Sequence, residues 1–308
     1  AGIIQYLIFP PKYILSYFLA ILNLKNNFFL FLNQYLQFYK IFLLPNFKYV
    51  ILKSKTLKKG EKYMKKNKIL YTINYDKIVN FKERVTRFTV RFEFKDSENE
   101  EYSGEDFAHL HDTGRLTELL IDGAELLIKK ANNENRKTKW DIIAVKVHGE
   151  IILINTAFHR YITEAIFYDN EISPFGEPSY IKPEIKHNNS KLDFYLETEK
   201  EKIYIEVKGC TLVNGKIAQF PGSPSIRALK HLRELMELKK EGFRTAVFIL
   251  IFRKSEIFAP EHIIDREFSE TFYEVMENGV EIYPMLLEYR EDGNVYFVKK
   301  IGIMEKRF

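Results

Sequence analysis

The clearest structural signal in the chain is residues 191–209, KLDFYLETEKEKIYIEVKG. Apolar and polar residues alternate on both sides of the charged segment TEKE (198–201). Alternation with a period of two is typical of strands that bury one face, and a polar segment between two such runs predicts a hairpin. If TEKE is a four-residue loop, Glu197 faces Lys202 and the remaining pairs follow in register.

This register predicts one apolar face and one charged face. The apolar pairs are Leu192 with Val207, Phe194 with Ile205 and Leu196 with Ile203. On the other face Asp193 lies across from Glu206, and Lys208 follows two residues later. Opposed side chains in such a pair have Cβ atoms about 5 Å apart.

The charged face predicts metal-dependent chemistry. Two carboxylates this close repel each other and suit a hard divalent cation, Mg²⁺ or Mn²⁺, so Asp193 and Glu206 are predicted metal ligands. Lys208 would then orient a water molecule or stabilise charge on a phosphodiester. We therefore predict a catalytic set of Asp193, Glu206 and Lys208. The alternative is a solvated strand face, because a Glu and a Lys two residues apart are common.

Residues 149–308 extend the hairpin into a larger domain. Helices are predicted at 157–169, 225–242 and near 265–278, and further strands at 150–155, 244–252, near 280–289 and near 294–301. The run RTAVFILIF (244–252) is apolar throughout, which is typical of a strand covered on both faces. The order helix, three strands, helix, strand indicates an α/β domain, in a chain that is α+β overall.

Residues 64–148 contain several short predicted strands. WDIIAVKV (140–147) is one of them, and turn sequences such as Asp112-Thr113-Gly114 separate the strands. Short strands at this spacing favour a small barrel, for which the oligonucleotide-binding (OB) type is one natural candidate.

Residues 1–63 differ in composition from the rest. They hold nine Lys and one acid, Glu61, and lack Met, Asp, Arg and His. We interpret them as a non-native extension and predict that translation starts at Met64. The alternative is a membrane anchor, but Lys12 and Lys25 limit the first apolar run to fewer residues than the roughly 20 that span a bilayer. We therefore predict no membrane association.

Charge and cysteine content restrict the class of protein. Residues 64–308 carry 38 basic and 41 acidic residues, so net charge does not argue for nucleic-acid binding and only local basic patches would. The candidate nucleic-acid-binding residues are Arg84, Arg87, Arg115, Arg136 and Lys137 in the barrel region, and Arg227, Lys230 and His231 on the helix 225–242. A solvated basic surface is the alternative. The single cysteine, Cys210, predicts a cytoplasmic protein without an intramolecular disulfide.

Several longer stretches carry a resemblance to a known family. They are NNSKLDFYLETEKEKIYIEVKGCTL (188–212), FPGSPSIRALKHLRELMELKKEG (220–242), HLHDTGRLTELLIDGAELLI (109–128) and RKTKWDIIAV (136–145). In this combination and order they resemble the sugar fermentation stimulation protein A family of bacteria and archaea. The similarity runs from about Glu83 to the C terminus, and residues 1–63 lie outside it.

The resemblance implies an OB-like barrel followed by a PD-(D/E)XK nuclease-like domain of αβββαβ order, and DNA as the partner. It places the acidic and lysine positions of the nuclease motif on Asp193, Glu206 and Lys208, and a third metal ligand on Glu184. Two positions depart from the family pattern. Lys191 stands where the family has Arg, which removes a bidentate phosphate contact. FPGS (220–223) stands where the family has FPDA, which removes a carboxylate.

Two functions follow from this comparison. The first is a Mg²⁺-dependent nuclease, and the second is a non-catalytic DNA-binding regulator linked to sugar metabolism.

Overall fold

The computed structural model describes residues 67–95, 102–133, 135–187 and 190–306, together with two strands nearer the N terminus. The chain forms two compact units, residues 1–65 and 66–308. In the first unit the strands Tyr39–Leu44 (β1) and Phe47–Lys53 (β2) form an antiparallel hairpin. The predicted start at Met64 lies outside the described residues. None of the helices in the described part of the chain has the length and apolar character needed to cross a bilayer.

The first part of the second unit is a closed barrel. Its strands are Lys77–Thr86 (β4), Thr89–Glu93 (β5), Glu105–His109 (β6), Glu125–Lys130 (β7) and Trp140–Val147 (β8), followed by Glu150–Leu153 (β9). Neighbours pair in the order β6, β5, β4, β7, β8, and a parallel pairing between β6 and β8 closes the cylinder. Val90 and Phe92 are fully buried and alternate with partly exposed residues, as expected for a strand with one face in a core. The predicted OB-like barrel is confirmed.

The second part contains a seven-stranded sheet. Its strands, in spatial order, are Tyr180–His187 (β10), Ser190–Glu197 (β11), Lys202–Cys210 (β12), Arg244–Ile251 (β15), Glu281–Tyr289 (β17), Asn294–Lys300 (β18) and Lys68–Thr72 (β3). The strands β12, β15 and β17 are parallel. All but the first residue of β15 are buried, which confirms the strand predicted to be covered on both faces.

Helices cover the two faces of this sheet. They are His159–Phe167 (α1), preceded by a 3₁₀ turn at Thr156–Phe158, Ile226–Lys240 (α2) and Arg266–Glu277 (α3). Phe248 and Leu250 share a hydrophobic core with α1 and the barrel, whereas Val247 and Ile249 pack beneath α2 and α3. The predicted order of helix, three strands, helix and strand is confirmed.

Two features of the fold differ from the sequence-based prediction. The strand β3 falls in the region assigned to the barrel, but it pairs with β18 at the edge of the seven-stranded sheet, where Tyr71 stacks on Tyr161 of α1 at 5.7 Å. A small sheet was also not predicted. Its strands are Leu212–Asn214 (β13), Ile217–Phe220 (β14), Ile257–Pro260 (β16) and Gly302–Ile303 (β19). Strands of two to four residues are too short to show a periodic pattern.

Candidate active site

The hairpin of β11 and β12 has the predicted register up to one point. Phe194 pairs with Ile205 and Glu197 with Lys202, but the ladder ends at Phe194. Beyond it, the Asp193 carboxylate accepts a hydrogen bond from the Val207 backbone N–H at 2.7 Å. A side chain thus takes the place of the next backbone contact, and Leu192 packs beneath α2 and α3 instead of facing Val207. The predicted apolar face is wrong at that last pair.

Glu206 is the centre of the charged cluster on this face. It is 1% exposed, and its Oε1 atom contacts both the Lys208 ammonium and Nδ1 of His231. Lys208 Nζ lies 3.4 Å from the same His231 nitrogen. The second carboxylate oxygen, Oε2, is buried and has no hydrogen-bond partner among the described residues. An unpartnered buried carboxylate oxygen is costly, which makes this atom a candidate ligand for a cation.

The two carboxylates of the cluster differ in their ionisation. Burial and the neighbouring Glu206 charge raise the pKa of Asp193 to about 6. Burial also acts to raise the pKa of Glu206, but Lys208 and His231 outweigh it, so the pKa of Glu206 lies below its ordinary value. Glu206 is therefore ionised at neutral pH, whereas Asp193 titrates just below neutrality.

The donor set fits a hard divalent cation. Asp193 and Glu206 supply carboxylate oxygens, and Mg²⁺ commonly takes only one or two carboxylates and completes its shell with water and substrate phosphate. Glu184, the third predicted ligand, has a left-handed φ of 57° and accepts a hydrogen bond from Lys191 at 2.7 Å. The residues that the structure describes contain no group of three or more His, Cys, Asp or Glu side chains arranged for a metal ion.

The helix α2 supplies His231 in a role that the sequence did not predict. His231 was predicted to contact nucleic acid, but it is only 4% exposed and its ring faces Glu206. Arg227 and Lys230, on the same helix, are exposed as a nucleic-acid contact requires. Helical spacing identified the three residues as a group, but only the packing of α2 on β12 separates the buried histidine from the two surface cations.

Gly209, the last residue of the EVKG sequence, explains a close contact beneath the site. A Cβ atom added to Gly209 would lie 2.3 Å from Cε1 of His159 in α1. The His159 ring stacks on Phe252 with centroids 5.5 Å apart, so it is held between that ring and the strand. A glycine inside a strand pattern signals such a close approach, but no pattern in the chain indicates that His159 is the partner.

Arg84 has a structural role in the barrel. Its guanidinium donates to the carbonyl oxygens of Gly114, Arg115 and Arg87 at 2.6–2.7 Å, which ties the 112–115 loop to the β4–β5 turn. These donors are engaged by backbone carbonyls of the barrel, and Arg84 is half-buried. These bonds give Arg84 a structural role, and its contact with nucleic acid stays a prediction.

Arg136 is also held within the protein. It makes two parallel hydrogen bonds, at 3.0 and 2.8 Å, to Asp141, whose Oδ1 lies 3.1 Å from Nε2 of His111. Burial opposes ionisation of Asp141, but His111 and Arg136 outweigh it and lower the pKa of Asp141 to about 2. Of the five cations predicted in the barrel, the three that are exposed to solvent are Arg87, Arg115 and Lys137.

An aromatic stack that the sequence did not single out lies beside these cations. Phe88, 43% exposed, stacks on His109 with ring centroids 6.1 Å apart, and Arg87 lies over the Phe88 ring. His109 in turn contacts the ring of His111 at 4.5 Å. The barrel therefore presents an exposed aromatic face next to a basic side chain.

We expect Arg84→Lys to destabilise the protein by about 2 kcal/mol, because a single ammonium cannot reach carbonyls on both the loop and the turn. Urea denaturation measures this effect. Arg115→Lys is the matched control and is expected to change stability by less than about 0.5 kcal/mol, since the Arg115 side chain is exposed. Equal stability of the two variants would contradict the structural role of Arg84.

Comparisons with known proteins agree with this architecture. The family model described as "SfsA N-terminal OB domain" matches residues 83–154, and the one described as "Sugar fermentation stimulation protein RE domain" matches residues 155–293. A sugar fermentation stimulation protein homolog from Thermosipho melanesiensis is 41% identical over 196 residues, which are 64% of this chain and 83% of the relative. A homolog from Methanosphaera stadtmanae is 39% identical over 230 residues, 73% of this chain and 93% of the relative.

A solved structure is also similar. It is that of Pyrococcus furiosus SfsA in complex with Ca²⁺, with a TM-score of 0.69 and 26% sequence identity, and the match covers 77% of this chain and all of that one. Both domain matches, the identities with full-length relatives and the shared fold lead to one conclusion. The chain belongs to the sugar fermentation stimulation protein family.

Proposed function

We propose that this protein is a metal-dependent phosphodiesterase that acts on nucleic acid, with DNA as the substrate. The observation that carries the proposal is the buried Glu206 carboxylate. One of its oxygens contacts Lys208 and His231, and the other has no partner among the described residues. Its charge is close enough to Asp193 to raise the pKa of that carboxyl. A carboxylate pair with an adjacent lysine suits hydrolysis of a phosphodiester, whose charge grows in the transition state.

Each side chain of the cluster has a distinct role in this proposal. Asp193 and Glu206 would hold Mg²⁺ or Mn²⁺, and the bound cation would supply an activated water and neutralise phosphate charge. The Val207 N–H fixes the orientation of the Asp193 carboxylate. His231 contacts Oε1 of Glu206, which leaves the buried Oε2 as the oxygen available to the cation. Lys208, 15% exposed at its side chain, is close enough to Glu206 to orient water and to stabilise the phosphate oxygens.

The similar structure supports a cation in this family. The Pyrococcus furiosus protein is described in complex with Ca²⁺, an ion that takes oxygen ligands as Mg²⁺ does. We propose that the present chain binds divalent cations at Asp193 and Glu206. Glu184 remains a predicted third ligand, and its hydrogen bond to Lys191 argues for a two-carboxylate site.

The barrel supports the nucleic-acid part of the proposal. Its exposed Phe88 offers a ring for a base to stack on, and Arg87 and Arg115 offer cations for the backbone. Arg227 and Lys230 are exposed on α2, the helix that carries His231. These basic patches are local, as expected for a region whose net charge is negative. From the single cysteine we also propose that the protein is cytoplasmic.

Incubation of the full chain with DNA and RNA oligonucleotides in Mg²⁺ or Mn²⁺ tests the activity. We expect metal-dependent cleavage of DNA that Asp193→Ala abolishes and that Lys208→Met lowers by at least about 10²-fold, the typical effect of losing one group that stabilises the transition state. Because Lys208 is not a ligand, Lys208→Met should retain Ca²⁺ binding, whereas Asp193→Ala should lose it.

The same experiment separates the second function. The feature that favours a protein that binds without cutting is FPGS (220–223), which lacks the carboxylate that the family has at this loop. Salt-sensitive DNA binding by the wild type with no cleavage in either metal would establish the regulator and rule out the enzyme. Cleavage of RNA alone would change the substrate class.

A further inference from the structure

Two isoleucines near the candidate site are almost fully exposed. Ile226 is 87% and Ile263 is 84% exposed, and the next most exposed large hydrophobic residue in the described part of the chain is Tyr168, at 67%. Single exposed hydrophobic residues are ordinary on protein surfaces. Two such residues on adjoining segments, each almost fully exposed to solvent, form a candidate binding surface.

The two segments that carry these residues are joined by backbone hydrogen bonds. The Ser225 N–H donates to Oδ2 of Asp265 at 2.9 Å, and the Glu261 N–H donates to the Phe220 carbonyl oxygen at 2.9 Å. Oε1 of Glu261 accepts from the Ile263 N–H at 2.9 Å. We call residues 219–226 and 261–265 the isoleucine ridge. These bonds show that the ridge is a defined structure and not two independent loops.

Aromatic packing strengthens the frame of the ridge. The rings of Phe220 and Phe268 meet edge to face at 5.4 Å, and the Gln219 amide contacts the buried Glu261 carboxylate. Ser225 caps α2 and Asp265 caps α3, so both isoleucines stand at or near the start of a helix. A frame fixed in this way presents Ile226 and Ile263 as rigid projections.

Two contacts connect the ridge to the candidate site. The thiol of Cys210, two residues after Lys208, donates to the Gln219 carbonyl oxygen at 3.1 Å. The helix α2 begins at Ile226 and carries His231, which contacts Glu206. Five residues of α-helix rise about 7.5 Å, so Ile226 lies about 7.5 Å along the helix axis from His231.

The charges around the ridge fit a polyanion. Arg227 and Lys230 are exposed on α2, close behind Ile226 in the chain. Arg266, three residues after Ile263, is also exposed and pairs with Glu270 at 2.8 Å. The acidic residues of the ridge, Glu261 and Asp265, are engaged in the hydrogen bonds that hold it together. Exposed apolar tips between cations match the way proteins grip a phosphate backbone while apolar side chains insert between base steps and unstack them.

We propose that Ile226 and Ile263 form a wedge that unstacks a base step of duplex DNA beside Asp193 and Glu206. The inference rests on the proposed nucleic-acid function and adds that duplex DNA, opened locally, is the substrate form. Unstacking next to the site would bring one strand within reach of the carboxylates.

Fluorescence of 2-aminopurine tests the wedge without relying on cleavage. The base is placed in turn at successive positions of a short duplex, and the full chain is added in Ca²⁺. We expect a several-fold rise in emission at one or two adjacent positions, because 2-aminopurine is quenched by stacking. Ile226→Ser with Ile263→Ser should remove the rise and weaken duplex binding by about tenfold, with no change for a single strand.

The control for loss of an exposed isoleucine is Ile69→Ser. Ile69 is 52% exposed and lies on β3, the edge strand of the large sheet farthest from β10. This variant should keep the full fluorescence rise. The double serine variant and the two single variants, Ile226→Ser and Ile263→Ser, are each measured. All three should have the melting temperature of the wild type, because both isoleucine side chains are in solvent.

The outcomes distinguish this inference from the proposed function. Duplex binding by the wild type without any rise in fluorescence overturns the wedge and leaves the proposed function standing. Absence of binding to every nucleic acid overturns the proposed function and the wedge with it. A wild-type dimer that becomes monomeric in the serine variants, measured by light scattering, shows that the ridge binds a second copy of the chain and overturns the wedge.

Discussion

Asp193→Asn is expected to make the metal-free protein more stable at pH 8, although it removes a residue of the proposed active site. Burial and the Glu206 charge raise the pKa of Asp193 to about 6, from the ordinary value of 3.8. A carboxyl group whose folded pKa is raised stabilises the fold in its protonated form. That contribution is complete below pH 3.8 and is lost as the pH rises through 6. Above pH 6 the charged side chain therefore costs roughly 1–3 kcal/mol relative to a group that cannot ionise.

Asparagine keeps the contact that orients Asp193. Its amide oxygen can accept the hydrogen bond that the carboxylate now accepts from the Val207 N–H. Urea denaturation in EDTA measures the difference, which should be roughly 1–3 kcal/mol in favour of Asp193→Asn at pH 8 and close to zero at pH 4. A variant that is less stable than the wild type at pH 8 would contradict the electrostatic account of the pair.

In calcium we expect the wild type to be more stable than Asp193→Asn, the reverse of the order without metal. A cation at Asp193 and Glu206 binds only the folded state, so it stabilises the wild type by about 2.7 kcal/mol at a hundred times its dissociation constant. Asp193→Asn should lose most of this gain. Glu184→Gln is the matched control, since Glu184 is an exposed carboxylate that hydrogen-bonds to Lys191. A full calcium response in Glu184→Gln supports a two-carboxylate site, and a lost response would make Glu184 the third ligand.

The sequence predicted the parts of the site that depend on local pattern. Strict alternation and a short loop determine which residues of β11 and β12 pair. The register from Phe194 to Glu197 can therefore be predicted from the amino-acid sequence. The departure at Asp193 does not, because a side chain that replaces a backbone hydrogen bond leaves no mark on the alternation. The place of Glu206 beside Lys208 was therefore predicted, while the contacts of Glu206 with His231 were not.

Contacts between distant segments account for the remaining differences. His231 and Arg227 belong to one helix, and only the docking of that helix on the sheet buries the first and exposes the second. Arg84 was predicted as a surface cation because its carbonyl partners at 114 and 115 are thirty residues away. Likewise, nothing in KILYT (68–72) specifies that β3 pairs with β18 in the larger sheet.

Gly209→Ala is expected to destabilise the protein by about 1–3 kcal/mol, the usual cost of an extra methyl group in a filled interior. The new Cβ would lie 2.3 Å from Cε1 of His159, a distance at which one of the two groups must move. The His159 ring cannot simply turn aside, because it stacks on Phe252 at an angle of 15°. Burial also lowers the pKa of His159 to about 4, so the ring is neutral at the pH of the experiment.

The double variant Gly209→Ala with His159→Ala separates this contact from other effects of the substitution. If the clash is the cause, the second change removes the cost of the first, and the double-mutant cycle gives a coupling free energy of about 1–3 kcal/mol. Gly302→Ala is the control, since a Cβ at Gly302 meets no atom within 4 Å. Because Gly209 follows Lys208 in the strand, a backbone shift also moves the lysine, so Gly209→Ala should lose activity while His159→Ala in the same background restores it. If the stability losses of the two single variants simply add in the double variant, the His159 ring is not the reason that residue 209 must be glycine. The contradicted claim would then be that His159 fills the space beside Gly209.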